Sequence, residues 1–185
     1  MTVVALLDSQ LPDTRPVFLA AVAVHIAAGL TCVVAGALAA TARKRPGRHP
    51  RSGTVYVAGM AVVVATSTAM AALRWHEDWR LFGIAVVAGA SAAIGWTVRR
   101  RRPRRWPAWH GATMALSYVA LLTGFYVDNG PRLPLWDRLP TWSLWLIPAA
   151  VGIPLTWWAL ARNGALPVTG RRRAAGNSET PPLRR

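Results

Sequence analysis

Four histidines are the side chains in this sequence best suited to chemistry near neutral pH, and their surroundings separate them. His25 lies inside an uncharged apolar run, residues 17–40. An ionisable group that deep in an apolar segment is a functional candidate by default. Its alternative is a neutral imidazole bonded to a carbonyl or hydroxyl of a neighbouring helix. His49 and His110 each follow an arginine-rich stretch and precede an apolar one. Paired imidazoles ligate haem iron and transition-metal ions, so these two form the candidate metal pair. Two separate interfacial histidines are the competing reading. His76, within Arg74-Trp75-His76-Glu77-Asp78-Trp79-Arg80, reads as part of a solvated turn.

A second constellation runs along one stripe at helical spacing: His110, Thr113, Ser117, Gly124 and Asp128, with Tyr118 and Phe125 beside it. Thr113 and Ser117 have a structural use, since their hydroxyls can bond backbone carbonyls. With His110 and Asp128 at its two ends, the stripe also suits a polar path through a bundle. The candidate path residues are His25, Ser117, Tyr118 and Asp128. Tyr56, Gly59, Ser67 and Met70 make a weaker stripe of the same kind. Neither a Ser-His-Asp motif nor HExxH occurs, which counts against a hydrolase. Cys32 is the single cysteine, so an intramolecular disulfide is excluded.

The elements that must position these residues are apolar spans at 17–40, 54–73, 79–98, 109–127 and 142–160. A bilayer core of about 30 Å needs roughly 20 apolar residues at 1.5 Å rise each, so every span is long enough to cross. The expected fold is an all-α polytopic transmembrane bundle of five spans, occupying residues 16–163. Pro16 suits the start of its first helix. Residues 1–15 lack a basic start and a cleavage site, so they are expected to stay as a short extracytoplasmic segment. Residues 164–185, polar and basic, are expected to be a flexible cytoplasmic tail.

The net charge of +15 would suggest nucleic acid on a soluble surface. Here the cations sit between the apolar spans, which makes topology their explanation and predicts no nucleic-acid partner. The connector after span one holds five, that after span three six, and the tail from Arg162 six, against five on the other side with six of the seven acids. The positive-inside rule then places the N-terminus outside and the C-terminus inside. Arg99, Arg100, Arg101, Arg102, Arg104 and Arg105 are expected to meet anionic lipid head groups. Ten tryptophans mark both boundaries: Trp75, Trp79, Trp136, Trp142 and Trp145 outside, Trp96, Trp106, Trp109, Trp157 and Trp158 inside. Arginine in place of lysine and abundant alanine fit a GC-rich bacterial genome, and the expected location is the bacterial cytoplasmic membrane.

Lipid gives no hydrophobic push between helices, so small residues must make the seams. In span one Ala28, Gly29, Cys32, Gly36 and Ala40 share a face opposite Leu30, Val34 and Leu38; in span three Ala85, Gly89 and Ala93 line up. Pro148, Gly152 and Pro154 predict a kink in span five. The hairpins of spans one–two and three–four share a plan: a basic Arg-Pro connector, a histidine, then a tyrosine, as His49 to Tyr56 and His110 to Tyr118.

His25-Ile26, the stretch His49-Pro50-Arg51-Ser52-Gly53-Thr54-Val55-Tyr56-Val57, and His110 with Ser117-Tyr118 resemble the bacterial membrane-protein family catalogued as domain of unknown function 2306. Leu122-Thr-Gly-Phe-Tyr-Val-Asp-Asn-Gly-Pro-Arg-Leu-Pro-Leu-Trp136 resembles a subgroup signature, and the likeness covers about residues 24–155. This chain has Pro50 after His49 and Gly111 after His110, where the family commonly has arginine. The resemblance implies a membrane bundle and no established activity. Two readings of function follow from the residues. One is a small transporter or membrane-assembly factor with a polar path inside the bundle; the other is a membrane redox protein holding haem or a metal ion through histidines.

Overall fold

The computed structural model describes residues 16–42, 47–134, 136 and 138–162; the expected N-terminal segment 1–15 and basic tail 164–185 lie outside the described residues. It contains five α-helices: α1 Pro16–Thr41, α2 Arg48–Leu73, α3 Trp75–Arg101, α4 Trp106–Asn129 and α5 Thr141–Arg162, with a 3-10 turn Gly130–Arg132 after α4. The protein is an all-α bundle. Four of the helices, α1, α2, α3 and α5, are long and apolar enough to cross a membrane. α4 has the length, 24 residues, but His110, Thr113, Ser117, Tyr118 and Tyr126 dilute its apolar character.

The helices extend beyond the apolar runs because polar residues near the ends complete their terminal turns. α2 takes in His49, Pro50 and Arg51 as its first turn, where proline is tolerated because its missing N–H had no intrahelical partner. Gly47, at φ 120°, makes the bend before it. The turn expected at 74–80 contracts to Arg74, because α3 already begins at Trp75. The Arg74 amide closes α2 on the Met70 carbonyl, while the Arg74 carbonyl accepts from the Asp78 amide to open α3. Glu77 and Asp78 in the first turn of α3, and Arg99, Arg100 and Arg101 in its last, complement the helix dipole at both ends.

Successive helices pack in up-and-down order from α1 to α4, α1 also touches α4, and α5 lies against α4 on the outside. The core between the first four is small-residue and sulfur-rich: Cys32, Ala35, Tyr56, Met60, Val63, Ala88, Ala92 and Ala120. Leu30, Val34 and Leu38 are exposed, as expected of a lipid-facing side. The seams are rotated slightly from the expected lines. On α1 the tight positions are Cys32, Ala35 and Gly36, while Gly29 has open space where a Cβ would go. On α3 they are Ala85, Ala88, Ala92 and Gly95, together with the expected Gly89, where a Cβ would stand 2.6 Å from Val64, while the expected Ala93 is exposed. A strict four-residue repeat drifts around a 3.6-residue helix, so one seam alternates steps of three and four. α5 runs through Pro148 and Pro154 as one helix.

Candidate functional site

The first turn of α2 and the second of α4 bring His49 and His110 to the same end of the bundle. Each ring is tied to the preceding helix of its own hairpin. His49 Nδ1 donates to the Ala39 carbonyl at 2.8 Å, and His110 Nδ1 donates to the Gly95 carbonyl at 2.9 Å. A carbonyl can only accept, so Nδ1 carries the proton in both rings and, in the neutral form, Nε2 holds the lone pair. The ring centres are 6.4 Å apart with their planes perpendicular, and the Trp106 ring stands 6.4 Å from His110. Both histidines are half-buried.

Deeper in the bundle lie Tyr56 and Tyr118, ring centres 6.2 Å apart. Tyr56 is fully buried and its hydroxyl shares a 2.8 Å hydrogen bond with the equally buried Ser117. Tyr118 reaches back to α1, its hydroxyl donating to the Val33 carbonyl at 3.1 Å. Gly36 makes that possible: a Cβ there would stand 2.5 Å from the Tyr118 ring. Below the tyrosines along α2 come Met60 and Val63, packed with Cys32 as an apolar layer. The Cys32 thiol donates weakly to the Tyr56 carbonyl at 3.5 Å.

His25 lies beyond this layer. Its Nδ1 is 2.9 Å from Thr66 Oγ1 and 3.5 Å from Ser67 Oγ. The Thr66 hydroxyl proton is committed to the Val62 carbonyl at 2.8 Å, so His25 is the donor to Thr66. Asp128 stands in the last turn of α4 and is exposed, where its carboxylate accepts from Asn129 Nδ2 at 3.4 Å. His76 is exposed as well. The candidate path residues therefore fall into three places: Ser117 and Tyr118 together, His25 across an apolar layer, and Asp128 on the rim.

Tyr56, as the partner of Ser117, carries more of the site than its weak stripe suggested. The repeated histidine-to-tyrosine spacing was the signal for it. Nothing in the sequence marks Thr66, or the carbonyls of Ala39 and Gly95, as histidine partners. Among the described residues every buried polar side-chain atom has a hydrogen-bond partner. Among them, too, no group of three or more His, Cys, Asp or Glu side chains is placed to hold a metal ion. No family model, curated protein or solved structure matches this chain.

Proposed function

We propose that this integral membrane protein holds a metal-centred redox group, haem in preference to a bare ion, between His49 and His110. The observation that carries the reading is the approach of two carbonyl-anchored imidazoles to 6.4 Å between ring centres. His49 and His110 would hold such a group through their Nε2 atoms, the ring nitrogens not used in the carbonyl bonds. A bare ion would need further protein ligands, whereas a porphyrin brings four nitrogens of its own. When bound, such a group supplies one-electron exchange. The chain's part is orientation: each Nδ1–H···O=C bond fixes its ring and makes Nε2 the more basic ligand.

The test is an absorption spectrum and metal analysis of the purified protein. A haem band, or metal approaching one per chain, is expected, and His49→Ala and His110→Ala should each abolish it. A colourless, metal-free preparation after expression with haem supplied would overturn the reading.

A second reading, the polar path, draws on one different observation: hydroxyl and imidazole groups lie on both sides of the Cys32–Met60–Val63 layer. It expects proton flux in dye-loaded liposomes that falls in His25→Leu and Ser117→Ala. For orientation we retain the cation-rich end inside a bacterial cytoplasmic membrane. A periplasm-active reporter should then work in the Arg74 turn and stay silent after Arg173; the reverse pattern inverts the topology.

A further inference from the structure

At the histidine-pair end, on the outer side of α2 and α3, a cleft of about 330 Å³ is lined by Thr54, Trp96, Arg99, Arg100 and Arg102. That volume lies within the roughly 300–1,000 Å³ of ordinary small-ligand sites. Three of its five lining residues are arginines, and no carboxylate lines the cleft. The described acids, Glu77, Asp78 and Asp128, all sit at the opposite end of the bundle, and Arg74 pairs with Glu77 there. The negative end of the α3 dipole amounts to about half a charge, too little to neutralise three cations.

Two of the three arginines also lie over tryptophan rings. Arg100 stacks over the Trp96 ring at 4.8 Å, and Arg102 over the Trp106 ring at 5.6 Å. Stacking uses the guanidinium face and leaves the in-plane N–H fork to bind a planar or tetrahedral oxyanion. The backbone of Arg102 is left-handed (φ 46°), with its amide on the Val98 carbonyl, so the chain turns back over the end of α3. The cleft sits where the apolar span of α3 ends and its basic last turn begins.

We propose that this cleft is a discrete phosphate-binding site, with Arg99, Arg100 and Arg102 as its donors, taking the phosphate of an anionic phospholipid or of a soluble phosphate compound. It is distinct from the diffuse attraction expected of the whole arginine run, because Arg101, Arg104 and Arg105 do not line it.

Full-length protein purified in a neutral detergent is titrated with phosphatidylglycerol, and bound lipid is counted by native mass spectrometry. The site predicts saturation at one retained phosphatidylglycerol per chain. Arg99→Gln and Arg102→Gln should each weaken retention roughly tenfold, the scale of one lost charged hydrogen bond. Arg101→Gln and Arg104→Gln, which remove the same charge outside the cleft, should leave it nearly unchanged. A parallel titration with inorganic phosphate separates the sources: displacement of the lipid at micromolar phosphate assigns the site to a soluble compound, and no displacement assigns it to the headgroup. Equal weakening by all four variants, or graded uptake without saturation at one, would overturn the proposal and leave only a charged rim.

Discussion

The hairpins α1–α2 and α3–α4 share a plan and divide its labour in the same way. In each, a histidine near the start of the second helix bonds a carbonyl near the end of the first: His49 to Ala39, His110 to Gly95. These bonds close each hairpin on itself. In each, a tyrosine seven or eight residues further on leaves its own hairpin: Tyr56 bonds Ser117 of the second, and Tyr118 bonds Val33 of the first. Histidines stitch within hairpins and tyrosines stitch between them. The difference lies in burial, since Tyr56 is sealed in the core and Tyr118 is half-buried against Gly36. The first hairpin therefore supplies the deeper anchor.

The largest test of that asymmetry is truncation. Tyr56→Ala removes a fully buried aromatic and should destabilise the bundle by about 3–5 kcal/mol. Tyr118→Ala should cost clearly less. Denaturant unfolding in mixed micelles reads both; equal losses would show that the hairpins are energetically equivalent despite their burial.

The next contrast lies on α1. Gly36→Ala places a methyl 2.5 Å from the Tyr118 ring, and overpacking of this kind costs about 1–3 kcal/mol. Gly29→Ala meets open space, and alanine's better helix propensity should make it neutral or stabilising by up to about 1 kcal/mol. The same unfolding assay separates them. If the two variants match, the close approach of Tyr118 to α1 is not a stabilising contact.

These two glycines show what the sequence could and could not convey. Both belong to one small-residue line, and hydropathy with composition was enough to place the helices and the exposed leucines and valines of α1. Which glycine is covered depends on the rotation of α1 about its axis, and a shift of one residue turns a helix by about 100°. The same limit governs the site. His49, His110, Ser117 and Tyr118 were recognisable as residue types, because imidazole and hydroxyl groups stand out in apolar helices. Their partners at Ala39, Gly95 and Val33 are backbone carbonyls, which every residue carries, so only the interhelical register selects them. Asp128, read as one end of the stripe, stands in the last turn of α4 at the exposed rim, and what faces it there is again set by interhelical register.

A smaller effect tests the within-hairpin stitches. His49→Ala and His110→Ala each remove one imidazole-to-carbonyl hydrogen bond, so each should cost about 1 kcal/mol in the cofactor-free protein. Near-equal values are expected because the two bonds differ by only 0.1 Å in length. A loss confined to one variant would mean that only one hairpin depends on its histidine.

The finest distinction comes from deleting a single hydroxyl from each tyrosine. Interhelical hydrogen bonds inside membranes average about 0.6 kcal/mol and reach at most about 1.7 kcal/mol. Tyr56→Phe should fall near the upper value, because it strips the fully buried Ser117 hydroxyl of the partner that Tyr56 supplies from another helix. Tyr118→Phe should fall near the average or below it, since the Val33 carbonyl lies within α1 and keeps its place in the helical ladder. The double variant should then cost close to the sum of the two if the bonds act independently. A coupling energy beyond about 0.5 kcal/mol, the ordinary margin for additivity, would instead make the two tyrosines one unit. In that case the hairpins are joined by a single cooperative contact, and the division between a deep and a shallow stitch disappears.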